Sequence, residues 1–219
     1  MPAIDRIIIS LSAASAIGYL GRVQSAPSPK RALIKTSSTG LLAVLAILRG
    51  SPGLLVTALA LGAIGDAFLA FDGELAFLGG LGHFLMAHLF YIQLFSRLPS
   101  RAGTELAYGL VPVSGWQAQV AAVLGVLVVA MVGALVPRVS GGLRVPIVVY
   151  STAIFVMSLT AVAVDNDRIL AGALLFTTSD AILAANQFLI GPESPHRGWM
   201  QHSVWVLYYT AQLLIALEF

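Results

Sequence analysis

Long apolar runs broken by short clusters of proline, glycine and charge run the length of this chain. A helix that crosses a membrane needs about 20 predominantly apolar residues, with a range of about 17–25. Eight stretches approach that length, and the pattern predicts helices at about residues 4–20, 33–48, 53–71, 75–95, 118–136, 144–164, 169–190 and 200–217. The longest gap, residues 96–117, holds Arg97, Pro99, Arg101, Glu105 and Pro112. Within it, residues 106–113 are apolar but too short to span, and are expected to form an interfacial or re-entrant segment. Residues 191–198, GPESPHRG, are a turn-rich loop. Little sequence is left between the spans. The expected architecture is therefore an all-α bundle of eight transmembrane helices, a single integral-membrane domain over residues 1–219 with short loops. The first run has no small-residue cleavage site after it and is read as the first spanning helix.

Composition sharpens this picture. Of 219 residues, 58% are hydrophobic and only 10% charged, against about 25% charged in a soluble domain; the mean hydropathy is +0.90. The pI of 9.2 rests on a net charge of only +2, which fits juxtamembrane Lys and Arg and not a nucleic-acid surface. Cysteine is absent, which excludes disulfides, thiolate metal sites, iron–sulfur clusters and a cysteine nucleophile. Eight spans put both termini on one side, here side A. Side B then holds Arg22, Lys30, Arg31, Lys35, Arg138, Arg144 and Arg197, and side A holds Arg6, Arg49, Arg97, Arg101 and Arg168. The excess on side B predicts that it faces the cytoplasm.

An internal echo follows the same spacing. Asp66-Ala-Phe-Leu-Ala70 in the third span resembles Asp180-Ala-Ile-Leu-Ala184 in the seventh, and in each following span a His precedes a Gln-Leu pair, His83 to Gln93 and His202 to Gln212. An offset of four helices keeps the direction of each span. It therefore predicts two parallel four-helix repeats, set against chance similarity among Ala- and Leu-rich helices.

The ionisable groups at membrane depth are few: Asp66, Asp180, His83 and His88. A carboxylate there costs about 2.5–3.5 kcal/mol on insertion scales and marks a functional site by default. Asp180 lies within the apolar stretch 172–188, and Ala173, Phe176, Thr177, Leu183, Ala184 and Gln187 share its helix face. Such a face of small and polar groups suits a protein interior or a wet cavity. All four ionisable groups lie near the midplane or on its B half, and Lys35, Tyr150 and His202 enter their helices from side B, which predicts a polar cavity opening toward side B. Tyr150, Tyr208, Tyr209 and Gln212 stand between site residues and an interfacial belt, and Asn186 between function and helix-to-helix bonding. Trp199 and Trp205 read as interface anchors and packing; Asp72, Glu74, Asp165 and Asp167 read as solvated loop charges. No HExxH or comparable spacing is present, so no metal site and no cofactor are expected.

Gly65-Asp66, the helix Phe77-x-x-Gly80-x-x-x-Phe84-x-x-x-His88-x-x-Tyr91, the run Ser179-Asp180-x-x-Leu183-Ala184 ending at Asn186-x-Phe188, and the closing Tyr208-Tyr209-x-Ala211-Gln212 together resemble the YhhN family, the lysoplasmalogenase family of eight-helix membrane proteins. The resemblance runs from about residue 31 to 217. Where that family has Lys-Pro at the second helix, this chain has Lys35-Thr36. The resemblance implies hydrolysis of the vinyl ether bond of lysoplasmalogens to a fatty aldehyde and a glycerophospho-alcohol. It also implies a multi-pass protein, of the plasma membrane if bacterial or the endoplasmic reticulum if eukaryotic. The implied partners are a lysophospholipid substrate and membrane lipid, with no nucleic acid. Protonation of the enol-ether β-carbon needs an acid that still holds its proton near neutral pH, and a negative charge near the resulting cation. Two carboxylates in one poorly hydrated cavity supply both. The candidate catalytic groups are Asp66, Asp180 and His88. The candidate substrate contacts are Lys35, placed to meet the phosphate, and Tyr91, Tyr150, Asn186, Tyr209 and Gln212. Two other readings stay open: a non-enzymatic lipid-binding protein or transporter with a buried carboxylate pair, and an intramembrane aspartyl protease. For the protease, Ala63 stands where the first Gly of a GxGD signature belongs.

Overall fold

The computed structural model describes residues 2–107, 111, 112 and 114–219. Eight helices account for most of them: α1 (Ala3–Leu20), α2 (Pro29–Leu48), α3 (Gly53–Phe68), α4 (Glu74–Phe95), α5 (Gly115–Leu135), α6 (Gly141–Ala163), α7 (Asp167–Phe188) and α8 (His196–Ala216). Each expected span is present as a helix. Six of them, all but α3 and α8, are long and apolar enough to cross a membrane, which makes this a multi-pass membrane protein of all-α class. The segment expected at the interface, residues 106–113, lies partly outside the described residues. Its described part is a short antiparallel pairing of β1 (Leu106–Ala107) with β2 (Val111–Pro112).

Two helix ends differ from the hydropathy pattern for local reasons. α2 begins four residues earlier than expected, because Ser28 caps it by accepting the Arg31 N–H at 3.2 Å and Pro29 occupies the first turn. Lys30 and Arg31 hide this first turn from any count of apolar residues. α3 stops at Phe68 and not at 71, because the chain turns through Ala70 and Asp72 to Gly73, whose φ of 106° only glycine adopts readily. Asp66 consequently sits in the last turn of α3.

Neighbouring helices pack in sequence, α1 on α2, α2 on α3, α3 on α4, and α7 on α8, while α4–α6 and α2–α8 contacts join the two halves. Exchanging helices four apart turns one joining contact into the other, as a parallel repeat requires. His83 and His202 add to the correspondence, each placing Nδ1 2.7 Å from the carbonyl oxygen four residues earlier, at Gly79 and Gly198. Small residues permit the closest approaches. A Cβ on Gly172 of α7 would lie 2.7 Å from Ile215 Cγ1 of α8, and one on Gly65 of α3 would lie 2.8 Å from the Phe84 ring of α4. α5 is the exception. It packs chiefly on α6 and leaves Val123, Val126, Leu127 and Val129 more than half exposed, a face suited to acyl chains.

Candidate functional site

The two membrane-depth carboxylates are held by different sets of neighbours. Asp66 is almost fully buried. Lys35 and Thr39, one turn apart on the same face of α2, both reach it: Lys35 Nζ lies 3.3 Å from Oδ1, and Thr39 Oγ1 donates to Oδ2 at 2.9 Å. From α8 the Tyr208 hydroxyl donates to the same Oδ2 at 2.8 Å. Three donors thus converge on one carboxylate, the arrangement an acceptor-only anion requires. Lys35 itself is buried, with Nζ 5.7 Å from the Tyr19 ring centre and 5.9 Å from that of Trp205. Behind Tyr208, Gln212 donates through Nε2 to the Tyr208 oxygen at 3.3 Å and accepts the Tyr91 hydroxyl at 2.5 Å. Gly62, one turn before Asp66, makes room for this chain, since a Cβ there would stand 2.8 Å from Gln212 Nε2.

Asp180 lies in the middle of α7 and is partly open, its side chain 14% exposed. The Tyr150 hydroxyl of α6 donates to its Oδ2. On the other side of Tyr150, His88 Nε2 of α4 lies 3.0 Å from the phenol oxygen and 3.6 Å from Asp180 Oδ2. With the Tyr150 proton directed at Asp180, the phenol oxygen accepts from His88 Nε2–H, which leaves Nδ1 as the bare nitrogen. That nitrogen is buried with no hydrogen-bond partner, and an unfilled lone pair there is a smaller penalty than a buried orphan N–H. His88, Tyr150 and Asp180 form a line along which a proton can shift. The four-apart correspondence reappears in these neighbours: Asp66 of α3 is met from α2 and α8, and Asp180 of α7 from α6 and α4.

Two cavities meet at this site. A polar one of about 420 Å³ is walled by both Asp66 and Asp180, with Arg31, Lys35, Asn186, Arg197 and Gln201 from the side B ends of their helices and Tyr208 from the middle of α8 among its other residues. An apolar one of about 730 Å³ lies among α4, α5, α6 and α7, with Leu81, Leu124, Leu127, Val128 and Met131 on its walls and Tyr150 and Asp180 among its few polar residues. Asp180 belongs to the wall of both, together with Leu69, Phe77, Phe84 and Leu183.

Measured against the sequence-based candidates, Asp66, Asp180, Lys35 and Asn186 line the polar cavity, and Tyr150 the apolar one. His88, Tyr91 and Gln212 are fully buried and line neither; they stand behind Tyr150 and Tyr208. Tyr209 faces away, its hydroxyl 2.9 Å from Ser12 Oγ. Trp199 is 56% exposed, whereas Trp205 is buried on the polar cavity wall with Nε1–H donating to Ala16 O. Asp72 is exposed at the rim of the same cavity. Thr39, Arg31 and Arg197 were not among the candidates. Thr39 was findable from its four-residue offset to Lys35. Among the described residues no three His, Asp or Glu side chains cluster as a metal site would require.

Residues 30–219 match the sequence model of the YhhN family. The chain belongs to the YhhN family. That match covers every lining residue of both cavities except Tyr19 and Val23. Two relatives named lysoplasmalogenase, from Mycobacterium bovis and Mycobacterium tuberculosis, are each 33% identical to this YhhN chain over 172 residues, which is 75% of this chain and 59% of theirs. The chain therefore spans less than two thirds of the length of these relatives. No solved structure matches it.

Proposed function

We propose that this YhhN chain is a lysoplasmalogenase-type membrane hydrolase that cleaves the vinyl ether of lysoplasmalogens, working as a single membrane domain. The observation that carries the reading is the position of Asp180 on the wall common to an apolar and a polar cavity. A lysoplasmalogen is an amphiphile whose reactive bond lies where its hydrocarbon chain joins its polar glycerol. Laid with the chain among α4, α5, α6 and α7 and the head toward Arg31 and Arg197, it brings that bond to Asp180. The names of the mycobacterial relatives support the same activity.

In this reading Asp180 is the general acid. Its protonated carboxyl gives a proton to the β-carbon of the enol ether, and the C=C electrons form the new C–H bond while the α-carbon becomes an oxocarbenium ion. Asp66, held as an anion by Lys35, Thr39 and Tyr208, supplies the negative charge that stabilises this cation from across the polar cavity. Water adds to the α-carbon and gives up a proton to the Asp180 carboxylate, which restores the acid. The hemiacetal then breaks its bond to the glycerol oxygen, which takes the hydroxyl proton, and fatty aldehyde and glycerophospho-alcohol leave. Tyr150 and His88 act as positioning residues for Asp180, because they hold its carboxyl and can take up or return a proton along their line. The test is aldehyde release from a lysoplasmalogen by the purified full chain in lipid nanodiscs. Asp180→Asn and Asp66→Asn are each expected to lower turnover by about 10²–10⁴-fold, the usual worth of general acid–base catalysis. Near-normal turnover in either correctly inserted variant overturns the two-carboxylate mechanism, and transport without turnover in the wild type overturns the enzyme.

A further inference from the structure

Arg31 and Arg197 both line the polar cavity, and neither has a carboxylate within ion-pair distance among the described residues. Backbone carbonyls hold them instead. Arg31 donates through Nη1 to Ala70 O at 2.7 Å, and through Nη2 to Val23 O at 3.1 Å and the Tyr19 hydroxyl at 3.2 Å. Its Nε–H is buried with no partner. Arg197 donates through Nη1 to Asn186 O at 2.9 Å and Ile190 O at 3.0 Å. Carbonyl oxygens fix the direction of a guanidinium but leave its charge uncancelled. Both arginines also stand in the first turn of their helices, α2 and α8, where the helix dipole makes a cation unfavourable and not favourable. The remaining cation of the cavity, Lys35, is already matched by Asp66. Of the other carboxylates on the wall, Asp180 is engaged by Tyr150 and Asp72 reaches neither arginine within ion-pair distance.

We infer that Arg31 and Arg197 form the seat of an anionic phosphate ester, occupied by the head-group phosphate of a lysophospholipid. The inference rests on the hydrolase reading above and refines it, because it moves the phosphate from Lys35 to the arginines and leaves Lys35 to hold Asp66. Guanidinium groups suit the task, since their planar forks meet phosphate oxygens in pairs. A phosphate fixed at the side B end of the polar cavity makes the head group the register mark of the substrate: it sets which bond of the chain lies beside Asp180.

The test measures binding to the full chain in nanodiscs by calorimetry, with three probes: an uncleavable 1-O-alkyl-2-lyso-glycerophosphocholine, the 1-O-alkylglycerol of the same chain length, and inorganic phosphate. The phospholipid is expected to bind at least about tenfold more tightly than the alkylglycerol, the order of one hydrogen bond to a charged group. Arg31→Gln and Arg197→Gln are each expected to weaken the phospholipid by about that factor and leave the alkylglycerol unchanged. Because both arginines also brace loops, the wild type gives a second reading: phenylglyoxal labelling of Arg31 and Arg197, followed by mass spectrometry, is expected to be blocked by the phospholipid and not by the alkylglycerol. Equal affinity for the two lipids, equal weakening of both in the variants, or no protection overturns the seat. Inorganic phosphate binding as tightly as the phospholipid overturns the lipid assignment. Absence of vinyl ether turnover in the wild type removes the hydrolase reading but leaves the binding difference legible; turnover with no phosphate preference removes the seat alone.

Discussion

Replacing Lys35 with Met tests how Asp66 is kept charged inside the bundle. The pair is 3.3 Å apart, with side chains 9% and 1% exposed, so the contact is shielded from salt and water. At an effective dielectric of 20, Coulomb's law gives an attraction of about 5 kcal/mol at that distance. Removing one partner of such a pair typically costs about 3–5 kcal/mol, because the other is left buried and uncompensated. Thr39 and Tyr208 still donate to Asp66, which puts the expected loss for Lys35→Met at the lower end, about 3 kcal/mol. Asp66→Asn alone strands the ammonium and is expected to lose a similar amount. The double variant Lys35→Met/Asp66→Asn removes both charges, and replacing a whole buried pair is often nearly neutral. It is therefore expected to be more stable than either single variant, with a coupling energy of about 2–4 kcal/mol. Equilibrium unfolding in mixed micelles, followed by tryptophan fluorescence, gives all four corners of the cycle. Additive losses, with the double variant the least stable protein, would refute the account of Lys35 as the counter-charge of Asp66.

Tyr150→Phe removes the hydroxyl between His88 and Asp180. It is expected to lower kcat by on the order of 10²-fold through misplacement of Asp180 while KM changes little, and an unaltered kcat would show that Asp180 works without this neighbour. Val128→Trp puts an indole into the apolar cavity and is expected to raise KM for long-chain lysoplasmalogens while sparing short-chain ones. Equal kinetics across a chain-length series would place the hydrocarbon elsewhere.

The helices were legible because lipid demands an apolar run wherever a segment crosses, and α4 to α7 follow that demand to within a few residues of their ends. Asp66 and Asp180 were legible for the opposite reason: a carboxylate inside such a run is costly enough to need a cause. What escaped was side-chain direction. Tyr208 and Tyr209 are adjacent, about 100° apart around α8, so one faces Asp66 and the other Ser12, and nothing in the pair of letters says which. Tyr91 and Gln212 look like site residues by type, yet they support Tyr208 from behind. Arg31 and Arg197 were hidden by expectation, since basic residues at helix ends are what the positive-inside bias supplies in any case. Only their carbonyl-braced placement on a cavity wall, with no carboxylate within ion-pair distance among the described residues, sets them apart.

The brevity of α3 has a further consequence. Its 16 residues span about 24 Å at 1.5 Å per residue, while a typical hydrocarbon core is about 30 Å thick. The deficit falls beside Ile64, Phe68 and Phe71, all at least 40% exposed, at the end that carries Asp66. Mismatch of this kind is met by local thinning of the bilayer or by a dip of the interface toward the short helix. Either brings head groups and water toward the mouth of the polar cavity that Asp66 lines, so hydration of that cavity is expected to follow the thickness of the host membrane.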